Sequence, residues 1–149
     1  SKGGMQFNEV TGSAIGILIF SAMRACSLVI KDKKVILFDD LKKMLEAGIE
    51  AIKKRGKAER GQKTILDSLI PVVEYLNSVE NTDDERKIIK EAIEIADRSA
   101  EETIQMEPQI GRARWFKERS VGVKDPGAHS GYLIINTVGN YILEKFYNK

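Results

Sequence analysis

The chain has 149 residues, 42% of them hydrophobic and 31% charged, the balance of one ordinary globular domain rather than a disordered segment. Lys and Arg number 24 against 22 Asp and Glu, a formal charge of +2, which argues against a dedicated nucleic-acid binder. The longest apolar run, residues 15–22, is far short of the roughly 20 residues a bilayer span needs, no secretory leader pattern opens the sequence, and a lone Cys26 fits a reducing compartment.

These features predict a single soluble, cytoplasmic domain over residues 1–149, with no membrane or nucleic-acid partner. In chain order, residues 11–29 are too apolar for a solvated helix and are expected to be mostly buried. Only residues 35–38 resemble a strand, and no partner strand is evident. Leu41, Met44, Leu45, Gly48, Ile49 and Ile52 follow the rhythm of an amphipathic helix. Asp39 and Asp40 suit its positive end, Lys53, Lys54 and Arg55 its negative end, and Gly56 is the expected stop.

A second amphipathic helix is predicted over residues 63–77, burying Ile65, Leu66, Leu69, Val72, Val73 and Leu76. Pro71 falls inside it and predicts a kink or a restart. A third is predicted over 83–107, with Ile88, Ile89, Ala92, Ile93, Ala96, Ala100 and Ile104 inward. Asn81 or Thr82 would cap it, with Glu85 completing a capping box from Thr82. A fourth is predicted over 130–147, burying Leu133 or Ile134, Val138, Ile142 and Phe146. The fold class is all-α.

Residues 111–128 form a long irregular stretch with glycines, a proline and the densest group of Arg, Lys and Trp in the chain. Connections longer than about 12 residues within a compact domain are usually functional or disordered. Residues 12–16 and 56–64 are also glycine-bearing and hydroxylic or basic. If the three loops converge at one end of a helical bundle, their amides and cations suit an anionic ligand such as phosphate.

Familiar catalytic groupings are weak. His129 alone cannot build a histidine metal site, and no cysteine pair exists for zinc. Cys26 lies in an apolar helix and reads as a small buried hydrophobe rather than half of a dyad with His129. Gly61-Gln62-Lys63-Thr64 shares only the Lys-Thr pair with a phosphate-binding P-loop, and that match carries no weight. Asp125-Pro126-Gly127 makes a rigid turn whose carboxylate either caps the following helix or accepts from ribose hydroxyls. Arg112, between Gly111 and Ala113, is placed like a clamp, and its planar fork suits phosphate. Arg114, Lys117 and Arg119 read as a solvated charge run.

Taken together, the loops resemble one family. Arg55-Gly56-Lys57-Ala58 followed by Gly61-Gln62-Lys63-Thr64-Ile65-Leu66-Asp67 is similar to one signature of the L-subunit family of dihydroxyacetone kinase. Gly111-Arg112-Ala113-Arg114-Trp115, then Glu118-Arg119-Ser120, then Asp125-Pro126-Gly127-Ala128-His129-Ser130 resembles its C-terminal signature. Thr11-Gly12-Ser13-Ala14-Ile15-Gly16 resembles, more loosely, its Gly-Gly-Ala-Ser-Gly loop.

The resemblance implies an antiparallel helical barrel holding ADP or ATP with magnesium at one end. It implies transfer of a phosphoryl group to dihydroxyacetone held on a partner K subunit, the donor being ATP or a phosphotransferase-system protein; a homo-oligomer is expected separately, from the apolar face that missing helices would leave exposed. The nucleotide contacts it implies are Ser13, Ala14, Gly56, Ile65, Arg112, Asp125, Pro126 and Gly127, with Ile65 an apolar surface beneath the base.

Departures stand beside the likeness. The family's magnesium ligands come from a Gly-Asp-Gly-Asp-His-Gly motif, whereas the first aspartate here is Asp32, already beyond the first loop. Gln62 replaces the acid of the usual Gly-Asp-Lys-Thr, and Ile15 replaces a loop glycine. The chain is therefore expected to be N-terminally truncated, with no metal ligands of its own and no kinase activity alone. About five of eight helices would leave a large apolar face uncovered. The alternative is a degenerate, non-catalytic module of the same family that binds a partner or regulates.

Overall fold

The computed structural model describes residues 14–80 and 84–147, and every regular element among them is helical. The chain divides into two compact units, Ser1–Ala58 and Glu59–Lys149.

The first unit is a helical hairpin of α1 (Ala14–Val29) and α2 (Phe38–Gly56). Its register is antiparallel, because Leu18 meets Gly56 while Cys26 meets Gly48 and Met44. Two glycines set the spacing. A Cβ on Gly48 would stand 3.2 Å from Cys26 Sγ, and one on Gly56 would stand 3.2 Å from Leu18 Cδ2. Of α1, only Gly16 is buried, and Met23 and Leu28 are exposed. The expectation of a mostly buried N-terminal helix is corrected: one partner helix covers one face and leaves the other open.

No strand forms at residues 35–38. Phe38 instead begins α2, and Leu37 is its N-cap. Leu37 has no side-chain acceptor, so the Asp40 carboxylate accepts the Leu37 N–H at 3.0 Å and pairs with Lys33 Nζ. Lys33 and the Leu37 amide hold Asp40 below the usual carboxylate range. At the other end α2 includes Gly56, and Lys57 takes the left-handed cap conformation, φ 49°. Gly56 serves the contact with Leu18 rather than the turn.

The second unit packs α3 (Leu66–Ser78), α4 (Glu85–Glu102) and α6 (Pro126–Ile142), with a short α5 (Lys117–Ser120) in the connection before α6. Helix α3 runs unbroken through Pro71. The missing donor costs one hydrogen bond in the second turn, and buried Leu69, Val72 and Leu76 hold the helix on both sides. Asp84 caps α4, its carboxylate accepting the Arg86 N–H at 3.0 Å. Asn81 and Thr82, the expected caps, lie outside the described residues. The helix ends at Glu102 and tightens to a 3₁₀ turn over Thr103–Gln105. Buried Pro108 follows, and a proline disfavours helix in the residue before it.

The expected burial of α6 is reversed. Leu133, Ile134, Val138 and Phe146 are exposed, at 46%, 37%, 49% and 67%. Ala128, Gly131, Gly139 and, past the helix, Leu143 face inward instead. A Cβ on Gly139 would meet Ile93 Cδ1 at 2.8 Å. The small residues let α6 approach its neighbours at backbone distance, and that closeness outweighs the larger apolar area of the opposite face. Tyr147 Oη donates to Glu85 and ties the end of the chain to the start of α4, which pushes the phenol up to about 12.

Candidate functional site

The site is built on the turn between Glu59 and Leu66. The Glu59 N–H donates to Gln62 Oε1 at 2.8 Å, and Gly61 takes φ 88°, a left-handed conformation that glycine tolerates without cost. Lys63 is also left-handed, φ 61°. Buried Asp67 reaches back from α3 and accepts the N–H groups of Gly61 and Thr64, the latter at 2.7 Å. One carboxylate thus satisfies two turn amides that would otherwise be orphaned near the helix start.

The segment 103–125 docks on this turn. The Gln109 N–H donates to Gln62 O at 3.2 Å, and Lys63 Nζ donates to the carbonyls of Met106, at 3.1 Å, and Ser120. Gly111, with φ 72°, opens a 3₁₀ turn over Arg112–Phe116 that runs into α5. The expected irregular stretch is therefore two short helical turns, with Trp115 and Phe116 exposed. Arg114 lies over the Trp115 ring at 5.0 Å.

Asp125 is the N-cap of α6. Its carboxylate accepts the Ala128 N–H at 2.8 Å, and its own N–H donates to Thr103 Oγ1 at 3.0 Å. Burial raises the carboxyl above its ordinary range, the amides of Ala128 and Gly127 pull it back, and nearby Asp67 and Lys63 act in opposite directions. Of the two readings of this turn, the cap is the one the geometry displays. Pro126 fills the first helical position and is exposed. Beneath it, Gly127 rests on Ile65, where a Cβ would stand 3.1 Å from the Ile65 nitrogen. Ile65 itself is only 3% exposed, packed under Gly127 and Gly131.

A scan against family models matches residues 1–140 to the DAK2 domain. The chain belongs to that family.

Two relatives of this DAK2 chain are ADP-binding subunits. The subunit DhaL of PEP-dependent dihydroxyacetone kinase 2 from Listeria innocua serovar 6a is 32% identical over 137 residues, covering 92% of this chain and 63% of the relative. The DhaL subunit from Escherichia coli K12 is 34% identical over 128 residues, covering 85% and 61%. The L-erythrulose 1-kinase of Mycolicibacterium smegmatis is 30% identical over 139 residues, 93% of this chain but 24% of the enzyme. The chain thus spans 61–63% of the length of those two DhaL subunits.

Within the DAK2 chain, the two signature stretches after Gly61 meet in the second unit, where Ile65, position 112 and Asp125–Gly127 all lie. Ala14 and Gly56 belong to the first unit, and Ser13 lies outside the described residues. Lys63, Asp67 and Thr103 are the organising polar residues that sequence reading passed over. Lys63 and Asp67 stand within the signature that begins at Gly61, but their partners lie at positions that no spacing rule specifies. Cys26 donates to Met44 O at 3.1 Å, and burial raises its thiol, so it is no activated nucleophile. His129 leans on Tyr132 at 5.9 Å between ring centroids.

Glycine turns at Gly61 and Gly111, with open space above both, and the cations of the 112–119 segment suit a nucleotide polyphosphate. Among the described residues no group of three or more His, Cys, Asp or Glu side chains could hold a metal ion. No helix among the described residues is long and apolar enough to cross a membrane.

Proposed function

We propose that this chain is the nucleotide-holding part of a dihydroxyacetone kinase of the DhaL type. The single observation that carries the reading is the family match across residues 1–140 together with relatives named as ADP-binding subunits. Bound ATP, or bound ADP once it has been rephosphorylated, supplies the phosphoryl group, and dihydroxyacetone on a partner K subunit receives it. The spent ADP is either recharged in place by a phosphotransferase-system protein or exchanged for ATP.

In this reading Arg112 and the Gly111 turn take the phosphates. The Asp125 carboxylate is engaged by its helix, so the turn meets the nucleotide through the outer face of Pro126 and Gly127, while Ile65, buried beneath Gly127 and Gly131, supports the turn from below rather than touching the base. Phosphoryl transfer needs little covalent help from protein, and positioning with charge stabilisation is nearly all of the catalysis. Arg112 would orient and neutralise the phosphates, and the glycine turns would let the backbone approach them. The protein works in the cytoplasm as a homo-oligomer, the exposed strip of Leu133, Ile134 and Val138 on α6 supporting self-association.

Calorimetric titration of the folded chain with ADP, with and without magnesium, tests the reading. Micromolar binding is expected. A folded chain that takes up no ADP under either condition overturns it.

A further inference from the structure

Lys63 is 5% exposed, and a buried ammonium is costly unless its protons are taken up. Two of its acceptors are backbone carbonyls far apart in sequence, Met106 and Ser120. These residues bracket the exposed segment that carries Arg112. One backbone hydrogen bond closes the same neck, Gly122 N–H to Ile104 O at 2.8 Å, and another, Gln109 N–H to Gln62 O at 3.2 Å, ties the loop to the turn. A surface loop with its ends held together in this way is an Ω-loop. Lys63 also holds a left-handed backbone, φ 61°, a conformation uncommon for a residue with a side chain and kept only where the surroundings demand it.

We infer that Lys63 is a positioning residue that clamps both ends of the 106–120 loop onto the turn at Gly61–Leu66, and so sets where Arg112 stands relative to the Asp125–Gly127 turn. The ammonium suits this task because one compact cation with three donors can serve two carbonyls at once. A methionine would fill the same volume and hold neither. The functional consequence rests on the nucleotide reading proposed above, while the clamp itself does not.

The test uses the full chain with Lys63→Met and Lys63→Arg, each checked for helical content and a cooperative melt. Limited trypsin digestion followed by mass spectrometry reads cleavage after Arg112, Arg114, Lys117 and Arg119 against cleavage after Lys43 and Lys87. In Lys63→Met, cleavage within the loop should quicken about tenfold or more, the scale of a lost charge-assisted hydrogen bond, with Lys43 and Lys87 unchanged. ADP affinity should fall in parallel, and Lys63→Arg should recover part of both.

Unchanged loop cleavage in Lys63→Met overturns the clamp. A loosened loop with unchanged ADP affinity overturns the positioning role. Failure of the wild-type chain to bind ADP removes the nucleotide reading, and the digestion still decides the clamp. Should Lys63→Met not fold, hydrogen exchange on the wild-type chain decides: the Gln109 and Gly122 amides must be protected, and exchange at the rate of open peptide overturns the clamp.

Discussion

Gly131 lies against Ser68 with no room for a side chain between them. A Cβ on Gly131 would fall inside van der Waals contact of Ser68 Oγ and 3.2 Å from Ile65 O. The Ser68 hydroxyl is wholly buried and donates to Ile65 O at 3.0 Å, so it has nowhere to retreat. Gly131→Ala should therefore destabilise the chain by about 1–3 kcal/mol, the usual cost of overpacking. Urea unfolding measures it. In the double variant with Ser68→Ala the cost should be less than the sum of the two single ones, because the clashing oxygen is gone. Strict additivity would mean that the contact is not the cause.

Arg112 is the residue on which phosphate recognition rests in the nucleotide reading. Arg112→Ala should weaken ADP binding by about 1.5–3 kcal/mol, the range for a lost charge-assisted hydrogen bond. Titration calorimetry on a variant with a wild-type melting temperature is the check. Unchanged affinity would remove Arg112 from the site.

Asp40 gives acid stability a direction. Lys33 and the Leu37 amide lower its carboxyl in the folded hairpin, so the folded state binds the proton less readily than the unfolded chain. Its contribution is present above the unfolded value of about 3.9 and is lost as pH falls through the lower folded value. Asp125 has the opposite sign, because its carboxyl is raised: its ionisation costs stability as pH rises from about 3.9 through the folded value. Melting curves from pH 7 to pH 3 should show a shallower acid loss for Asp40→Asn than for the parent chain. An identical profile would rule out the Lys33 pairing as a source of acid sensitivity.

The outward strip of α6 predicts association. Leu133, Ile134 and Val138 are exposed together, and contiguous exposed apolar area on a soluble protein marks a contact surface. Val138→Lys should lower the mass found by light scattering at high concentration without lowering the melting temperature. A parent chain that stays monomeric throughout the concentration series would sink this expectation.

The all-α class was legible from the residues because helical periodicity is local: the stripes of residues 41–52 and 65–76 and the row Ile88, Ile89, Ala92, Ala96 and Ala100 each show within a few turns. The family was legible for a related reason, since its loop signatures are short contiguous strings that need no folding to be read. Burial on α6 was not legible. Hydrophobicity ranks Leu133 and Val138 above Gly131 and Gly139, yet only the packed structure reveals that backbone closeness to Ile65, Ser68 and Ile93 selects the glycine face. Asp125 could be read from sequence as a cap or as a ribose acceptor, and only the position of the Ala128 amide chose between them. Lys63 and Asp67 were visible as letters, but their partners at Met106, Ser120, Gly61 and Thr64 are set by how distant segments fold back on one turn. Local pattern determined which helices form; non-local polar contacts, whose partners no spacing rule specifies, decided how the turn and the Arg112 loop are held together.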